Sequence, residues 1–514
     1  MPRSVLVRVG FLLLVAGPWA ARPASGEWLE VRKIRGADTA PLDHFGEAMA
    51  LEGDRLAVGV PDDDSPWGDA GSVYLFERNH GEPEGWGQVA KLTASDPGSS
   101  SYLGAAVALD GDTVVAGAPG AYTDAAYIFE RQADGQWVET AKLTRPTYSD
   151  TDTFGNSVAI EGDTVFVGSV GDNEKGVWAG AVWVFERHTA GSPQWRLVAK
   201  LTAQSPTPDA RLGYPSVVEG GILAAGAAHD SEKGWQAGAV HIFEEDESGA
   251  WVEVAKLTAS DGVFGDRLGG SVAISGTTVI AGAAQESDEG YLAGAAYVFE
   301  RDGSGAWEEV AKLTASDAEL GDWFGTSVAI YGGLAVVGAL YESQLGVRSG
   351  AAYLFQRQAD RSWVEVAKLK ASDGADLHEF GRSVAAGPST AIVGADLDDD
   401  AGLYSGSAYV FLEREVGLRL AGLCPGEVTL TVTGATPQAQ VAVLHGEEGM
   451  SQVPGGPCAG TPLGLADPGL AGVALTDLTG GLTVTRVLES QACDRFVQAL
   501  DLATCAVSGL AALP

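Results

Sequence analysis

The chain has 514 residues and carries 69 acidic against 32 basic side chains, a formal charge of −37. That balance repels a polyanion and excludes nucleic acid as a partner. Apolar residues make up 45% of the chain and 70 positions are Gly, so a large core can form, and the surplus carboxylates belong on loops and outer strands.

Residues 1–26 join Arg3 and Arg8 to a short apolar run over 9–16, broken by Pro18 and followed by the small residues Ala24 and Gly26. This is the pattern of a secretory signal peptide, and the run falls short of the ~20 apolar residues that a membrane anchor needs. No later stretch reads as a transmembrane segment. The mature protein is therefore expected to be secreted or otherwise extracytoplasmic.

Over 27–414 one unit repeats. A Trp leading VAKL-type text stands at Trp28, Trp86, Trp137, Trp195, Trp251, Trp307 and Trp363, and an apolar-Gly pair places Gly46, Gly104, Gly155, Gly213, Gly269, Gly325 and Gly381. Both series step by 58, 51, 58, 56, 56 and 56 residues. Two landmarks sharing one irregular spacing mark a structural module rather than a compositional bias. The sixth copy holds four β-type runs at 327–330, 334–338, 351–355 and 363–369. The second is apolar on both faces, as a strand between neighbouring sheets should be, and the fourth carries Glu and Lys, as an outer strand would. Four strands per unit and seven units predict an all-β fold, a seven-bladed β-propeller. Residues 28–34 match a fourth run with no first three before them, and 380–411 supply three runs with no fourth. The N-terminal strand is therefore expected to close blade seven.

Phe324-Gly325 followed by Val337-Gly338-Ala339, Leu103-Gly104 followed by Ala116-Gly117-Ala118-Pro119, and Phe45-Gly46 with Val58-Gly59-Val60-Pro61 resemble the FG-GAP repeat, whose family includes the integrin α-subunit propeller. The resemblance implies the propeller fold and, by analogy only, adhesion-type binding, since one fold hosts unrelated activities. Blades of that family often carry a calcium loop between their first two strands. Here the connections, such as Leu109-Asp110-Gly111-Asp112 and Ile160-Glu161-Gly162-Asp163, are hairpin turns with too few oxygen donors, so those metal sites do not carry over.

The long connections, before the first strand and between the second and third, emerge on one face. The former repeat an Asp at Asp38, Asp96, Asp261, Asp317 and Asp373, with Thr147 and Ser205 in the other copies, and a turn-forming role is expected for them. The latter place Trp67, Trp178, Trp235, Tyr291 and Tyr404 beside carboxylates. These aromatics are candidates for binding a carbohydrate, a peptide or a cationic group, the competing account being that each covers a neighbouring blade. Ring closure brings Asp62, Asp63 and Asp64 of blade one towards Asp396, Asp398, Asp399 and Asp400 of blade seven. Asp396, Asp398 and Asp400 alternate as early calcium-loop ligands do, which makes them the candidate metal ligands against the plainer reading of a solvated acidic loop. Calcium is the candidate ion, and no cofactor is required.

None of His44, His80, His188, His229, His241, His378 and His445 forms a zinc-type pair, and neither a Gly-x-Ser-x-Gly elbow nor a phosphate-binding Gly loop occurs. No enzyme activity is expected. Residues 415–514 change in composition and hold all four cysteines, Cys424, Cys458, Cys493 and Cys505. A small β-sandwich-like domain with two disulfides of undetermined pairing is expected there, with Gly480-Gly481 as a turn between strand-like arms. The favoured function is a secreted or surface-displayed interaction module whose partner is an extracellular protein or glycan. The alternative is an extracellular enzyme acting on polysaccharide or peptide at the propeller face.

Overall fold

The computed structural model describes residues 27–414 other than 66, 82–84, 121–123, 147–152 and 189–193, and then the backbone of 417–422, 426–433, 440–452, 462–475, 482–488, 496–501 and 511–512. The leader read at 1–26, Thr147 and the four cysteines Cys424, Cys458, Cys493 and Cys505 lie outside the described residues.

Each repeat folds into one antiparallel four-stranded sheet in chain order. In blade six the strands are Phe324–Tyr331, Leu334–Ala339, Ala351–Arg357 and Trp363–Leu369. The seventh sheet takes Val384–Gly387, Thr390–Ala395 and Ser407–Arg414 from one end of the repeat region and Glu27–Ile34 from the other, as its outermost strand. The molecule thus contains a seven-bladed β-propeller whose last blade is completed by its first strand, which covers the edge that Ser407–Arg414 would otherwise expose.

The core lies between blades. Leu334–Ala339 is buried along its whole length, because its small apolar side chains meet a neighbouring sheet on each side. Ile280 and Val298 of blade five pack in one cluster with Val328, Val337, Tyr353 and Phe355 of blade six. Phe324 sits fully buried with its ring edge-on to Tyr353 and Phe355, at centroid distances of 5.5 and 5.9 Å. A Phe in such a site contributes about 3–5 kcal/mol relative to Ala. The Gly after it is dictated by space and conformation. Gly104 has φ +96°, and a Cβ there would lie 2.4 Å from the Ser72 carbonyl oxygen, so only Gly lets the chain enter the inner strand.

On the hairpin-turn face, acids before the turns of blades one to four brace the next blade. Glu52 accepts the Gly111 N–H at 2.6 Å, and Glu161 accepts the N–H groups of Gly220 and Gly221. These carboxylates link blades.

Residues beyond Leu412 form a separate contact unit from Trp28–Leu412. Their backbone gives a three-stranded sheet of Gly417–Gly422, Gly426–Thr433 and Leu482–Leu488, and a four-stranded one of Pro462–Leu475, Gln440–Gln452, Phe496–Asp501 and Ala511–Ala512. The arms on either side of Gly480-Gly481 therefore pair in different sheets rather than with each other. Alternation reports a strand but not its partner.

Candidate functional site

The loop face is built from a clamp that recurs at the seams. Between blades three and four, Asp209 N–H donates to the Val177 carbonyl at 2.8 Å and Arg211 N–H to that of Trp178 at 3.0 Å. Both Trp178 and Arg211 are left-handed, at φ +54° and +60°. The same pairs of positive-φ residues recur as Tyr404 with His44, Asp69 with Tyr102, Gln236 with Arg267, Leu292 with Trp323, and Arg348 with Glu379. Non-glycine residues hold this conformation only where the surroundings fix it. The loops are thus rigid platforms.

Beneath the clamps, the outer-strand lysines gather loop acids, and Lys33, Lys91, Lys312 and Lys368 draw theirs from two loops. In blade five Lys312 Nζ lies 2.8 Å from Asp261, 3.3 Å from Glu286 and 2.6 Å from Asp288, while the Tyr297 hydroxyl donates to the other oxygen of Asp261 at 2.7 Å. Lys368 repeats this with Asp317 and Glu342, Lys91 with Asp38 and Asp63, and Lys142 with Asp96. Burial pulls the Lys312 ammonium down, but its hydrogen bonds to Asp261 and Asp288 and the charge of Glu286 outweigh it, and its pKa rises. The repeated Asp of the pre-strand loop, read from sequence as a turn former, accepts a backbone N–H of its own loop and also binds a Tyr hydroxyl and a Lys.

The acidic residues of blades one and seven do not form one cluster. Asp398 and Asp400 converge with Asp373, the three oxygens lying within 4.8 Å of one another, and Lys33 Nζ stands 2.7–2.8 Å from all three. The ammonium occupies the place of a cation. Asp396 turns away to Arg382 Nε at 3.5 Å and His44 Nδ1 at 3.9 Å. The set Asp396, Asp398 and Asp400 is therefore not assembled around one point, because alternation along a loop sends alternate side chains to different neighbours. Asp63 is buried with Ser72, Tyr74 and Lys91, whereas Asp64 accepts the Asp69 N–H inside its own loop. Asp62 does meet Asp396 across the seam, with His44 between them, its Nε2 3.9 Å from Asp62. Burial pushes the Asp62 carboxyl up to about 6, and the Asp396 carboxylate raises His44.

Of the aromatic candidates, Trp67, Trp235 and Tyr291 are exposed, and Trp178 and Tyr404 are half-buried. Trp235 stacks on Phe264 of the next blade at 5.0 Å and 26°, Trp178 lies under the Arg211 guanidinium at 5.0 Å, and the Tyr404 ring is 6.2 Å from His44. Trp235, Trp178 and Tyr404 thus each lie against a residue of the adjoining blade, as the covering account expects, and keep part of their surface in solvent. Phe264 at 71% exposure and Leu320 at 73% join Trp235 at 56% and Tyr291 at 72% in an apolar rim over blades four to six. Phe264 and Leu320, like Arg211, Arg267 and the lysines, were not singled out from sequence. The lysines carried a readable signal, one at the same offset in every VAKL run. The arginines carried none, because the position that Arg211 and Arg267 share holds His44, Tyr102, Thr153, Trp323 and Glu379 in the other copies.

The FG-GAP repeat family matches this chain at residues 28–76, 86–129, 137–185, 251–299, 307–355 and 363–411, more than half of its length. Each matched segment runs from an outer-strand Trp to the Phe of the next blade's third strand. No curated protein matches. Among solved structures, the crystal structure of a protein from Lactobacillus plantarum is similar at 14% identity, over 64% of this chain and 86% of that one, with a TM-score of 0.42.

Proposed function

The chain belongs to the FG-GAP repeat family, and from that premise we propose that it is an exported interaction module that holds an extracellular protein or glycan on its loop face. The observation that carries this reading is the apolar rim of Trp235, Phe264, Tyr291 and Leu320, exposed on loops that the seam clamps hold rigid. Large apolar side chains grouped on one rigid face are unusual on a free surface and contribute roughly 1.5–3 kcal/mol each when covered. Because the clamps fix the platform, little conformational freedom is lost on binding. The family suggests a binding module, and no helix among the described residues is long and apolar enough to cross a membrane.

The test is a binding screen of the full chain against immobilised surface glycans and envelope proteins, repeated with Trp235→Ala/Phe264→Ala and with Tyr331→Ala on the hairpin-turn face. Capture of a ligand, weakened at least tenfold by the first variant and unchanged by the second, is expected. A ligand whose affinity follows Tyr331, or reproducible turnover of a bound polysaccharide or peptide, would overturn the proposal.

A further inference from the structure

Two guanidinium groups flank blade four on the loop face, and one of them lacks an acidic partner. Arg267 has no carboxylate within ion-pair distance among the described residues. Its Nε is buried without a hydrogen-bond partner, and its Nη2 reaches the Gln236 Oε1 only at 3.4 Å. In a chain with 69 acidic side chains an unpaired Arg in a recess is an exception, and a buried donor without an acceptor is costly. Arg211, at the equivalent left-handed position one seam earlier, bonds Asp209 through Nε at 3.0 Å. The second oxygen of Asp209 lies 3.0 Å from His229 Nδ1, and the Gln236 amide nitrogen lies 3.2 Å from the same atom. Arg211, Asp209, His229, Gln236 and Arg267 thus form one continuous chain containing two fixed cations and one carboxylate.

We propose that Arg267 and Arg211 form an oxyanion subsite on the loop face, fitted to a carboxylate or sulfate group of the bound ligand. The inference rests on the binding-module reading and names the chemistry of one part of that ligand. A guanidinium group offers its N–H donors to oxygens in parallel pairs, and with Nε buried and Nη2 in only a long contact with Gln236, the end of Arg267 that a ligand oxygen can meet is the Nη1–Nη2 pair. Trp178 beneath Arg211 and the positive-φ clamps at both arginines fix where the two cations point. Burial, and after it the charge of Arg211, depress the Arg267 pKa, and a bound anion offsets both. Burial also depresses His229, so at neutral pH it leaves the excess of one positive charge to the arginines. The strongly negative chain does not forbid an anion here. At physiological salt the screening length is about 8 Å, so the two nearby guanidinium groups outweigh distant carboxylates.

The experiment titrates the full chain with sodium sulfate and, separately, sodium acetate at constant ionic strength, following tryptophan fluorescence and calorimetric heat. Saturable binding of at least one anion is expected, weakened at least tenfold in Arg267→Gln and in Arg211→Gln. Gln236→Glu keeps both arginines but supplies Arg267 with an internal carboxylate, and it should weaken binding to the same degree. Thermal melts matching the wild type establish that the variants are folded. Which of the two salts binds identifies the oxyanion. No saturable response in the wild type, or equal response in folded variants, overturns the subsite. Neither titration uses a macromolecular ligand. Loss of the subsite with Trp235-dependent ligand capture intact therefore condemns this inference alone, and anion binding without any such capture upholds the subsite while the wider reading falls.

Discussion

Lys33 and Asp398 are 365 residues apart in the chain and 2.7 Å apart in space. The contact ties the outermost strand of blade seven to the loop between its second and third strands, so the ring is closed by an ion pair as well as by a sheet. Asp398 is fully buried and its carboxyl is depressed: burial opposes ionisation, and the Lys33 and Ser407 hydrogen bonds outweigh it.

Deleting 28–34 should unseat Ile34, 4% exposed, and Trp28, which packs against the cluster containing Phe411, while exposing Ser407–Arg414 as an edge. A loss of roughly 5 kcal/mol or more, with aggregation, is expected from the apolar area and the open edge. Thermal melting with size-exclusion chromatography measures it, and a monomer that melts with the parent would refute the closure argument.

Lys312→Met should leave Glu286, Asp261 and Asp288 facing one another without their cation. With Glu286 nearly inaccessible, the expected loss is about 3 kcal/mol. Adding Glu286→Gln to the variant should recover part of it. Urea unfolding of the three proteins decides the matter. A single variant as stable as the wild type would mean that the knot contributes nothing.

Asp43 is buried, and its carboxyl is pushed up to about 6. A folded-state pKa above the unfolded value means that the native state binds the extra proton. The associated stability is fully present below the unfolded pKa near 3.8 and is lost as pH rises through about 6. Asp62, pushed up to about 6, acts in the same sense, and so does His44, whose contribution is lost above its raised pKa. His229, depressed by burial, acts oppositely. Asp43→Asn should therefore stabilise the protein at pH 7.5, on the order of 2 kcal/mol, and flatten its melting temperature between the unfolded pKa of 3.8 and about 6. An unchanged pH dependence would contradict the assignment.

Lys33→Met removes the ammonium from among Asp373, Asp398 and Asp400 and leaves three converging carboxylates. Calcium at about 1 mM should then raise the melting temperature of the variant, with an affinity typical of extracellular modules. The wild type, whose Lys33 already fills the set, should respond less. Equal shifts in both proteins would show that calcium binds elsewhere.

The blades could be read from sequence because Trp, Gly and the Phe triplet sit at fixed places in the core, where packing tolerates little variation. The composite blade was legible for the same reason, as a surplus strand at one end and a deficit at the other. The site was less legible. Asp396, Asp398 and Asp400 look alike in one dimension, yet one faces Arg382 and the others share Lys33, a partner more than 360 residues away. Arg267 gave no signal at all. Its place in the unit is taken elsewhere by His44, Tyr102, Thr153, Arg211, Trp323 and Glu379, because that backbone position is held by clamps and its side chain is free to vary.

The shared seventh blade also sets a timetable. Glu27–Ile34 leaves the ribosome first among the strands of the ring and finds its partner, Ser407–Arg414, only when nearly the whole ring has been made. Blades one to six are each complete on emergence and can form in succession during synthesis. The seventh cannot, and until it does the newborn chain carries two unmatched strands at its ends, each a template for mispairing. Any cell making this protein must keep those two strands apart from other chains through the whole interval, and the interval lengthens with every blade added to the ring.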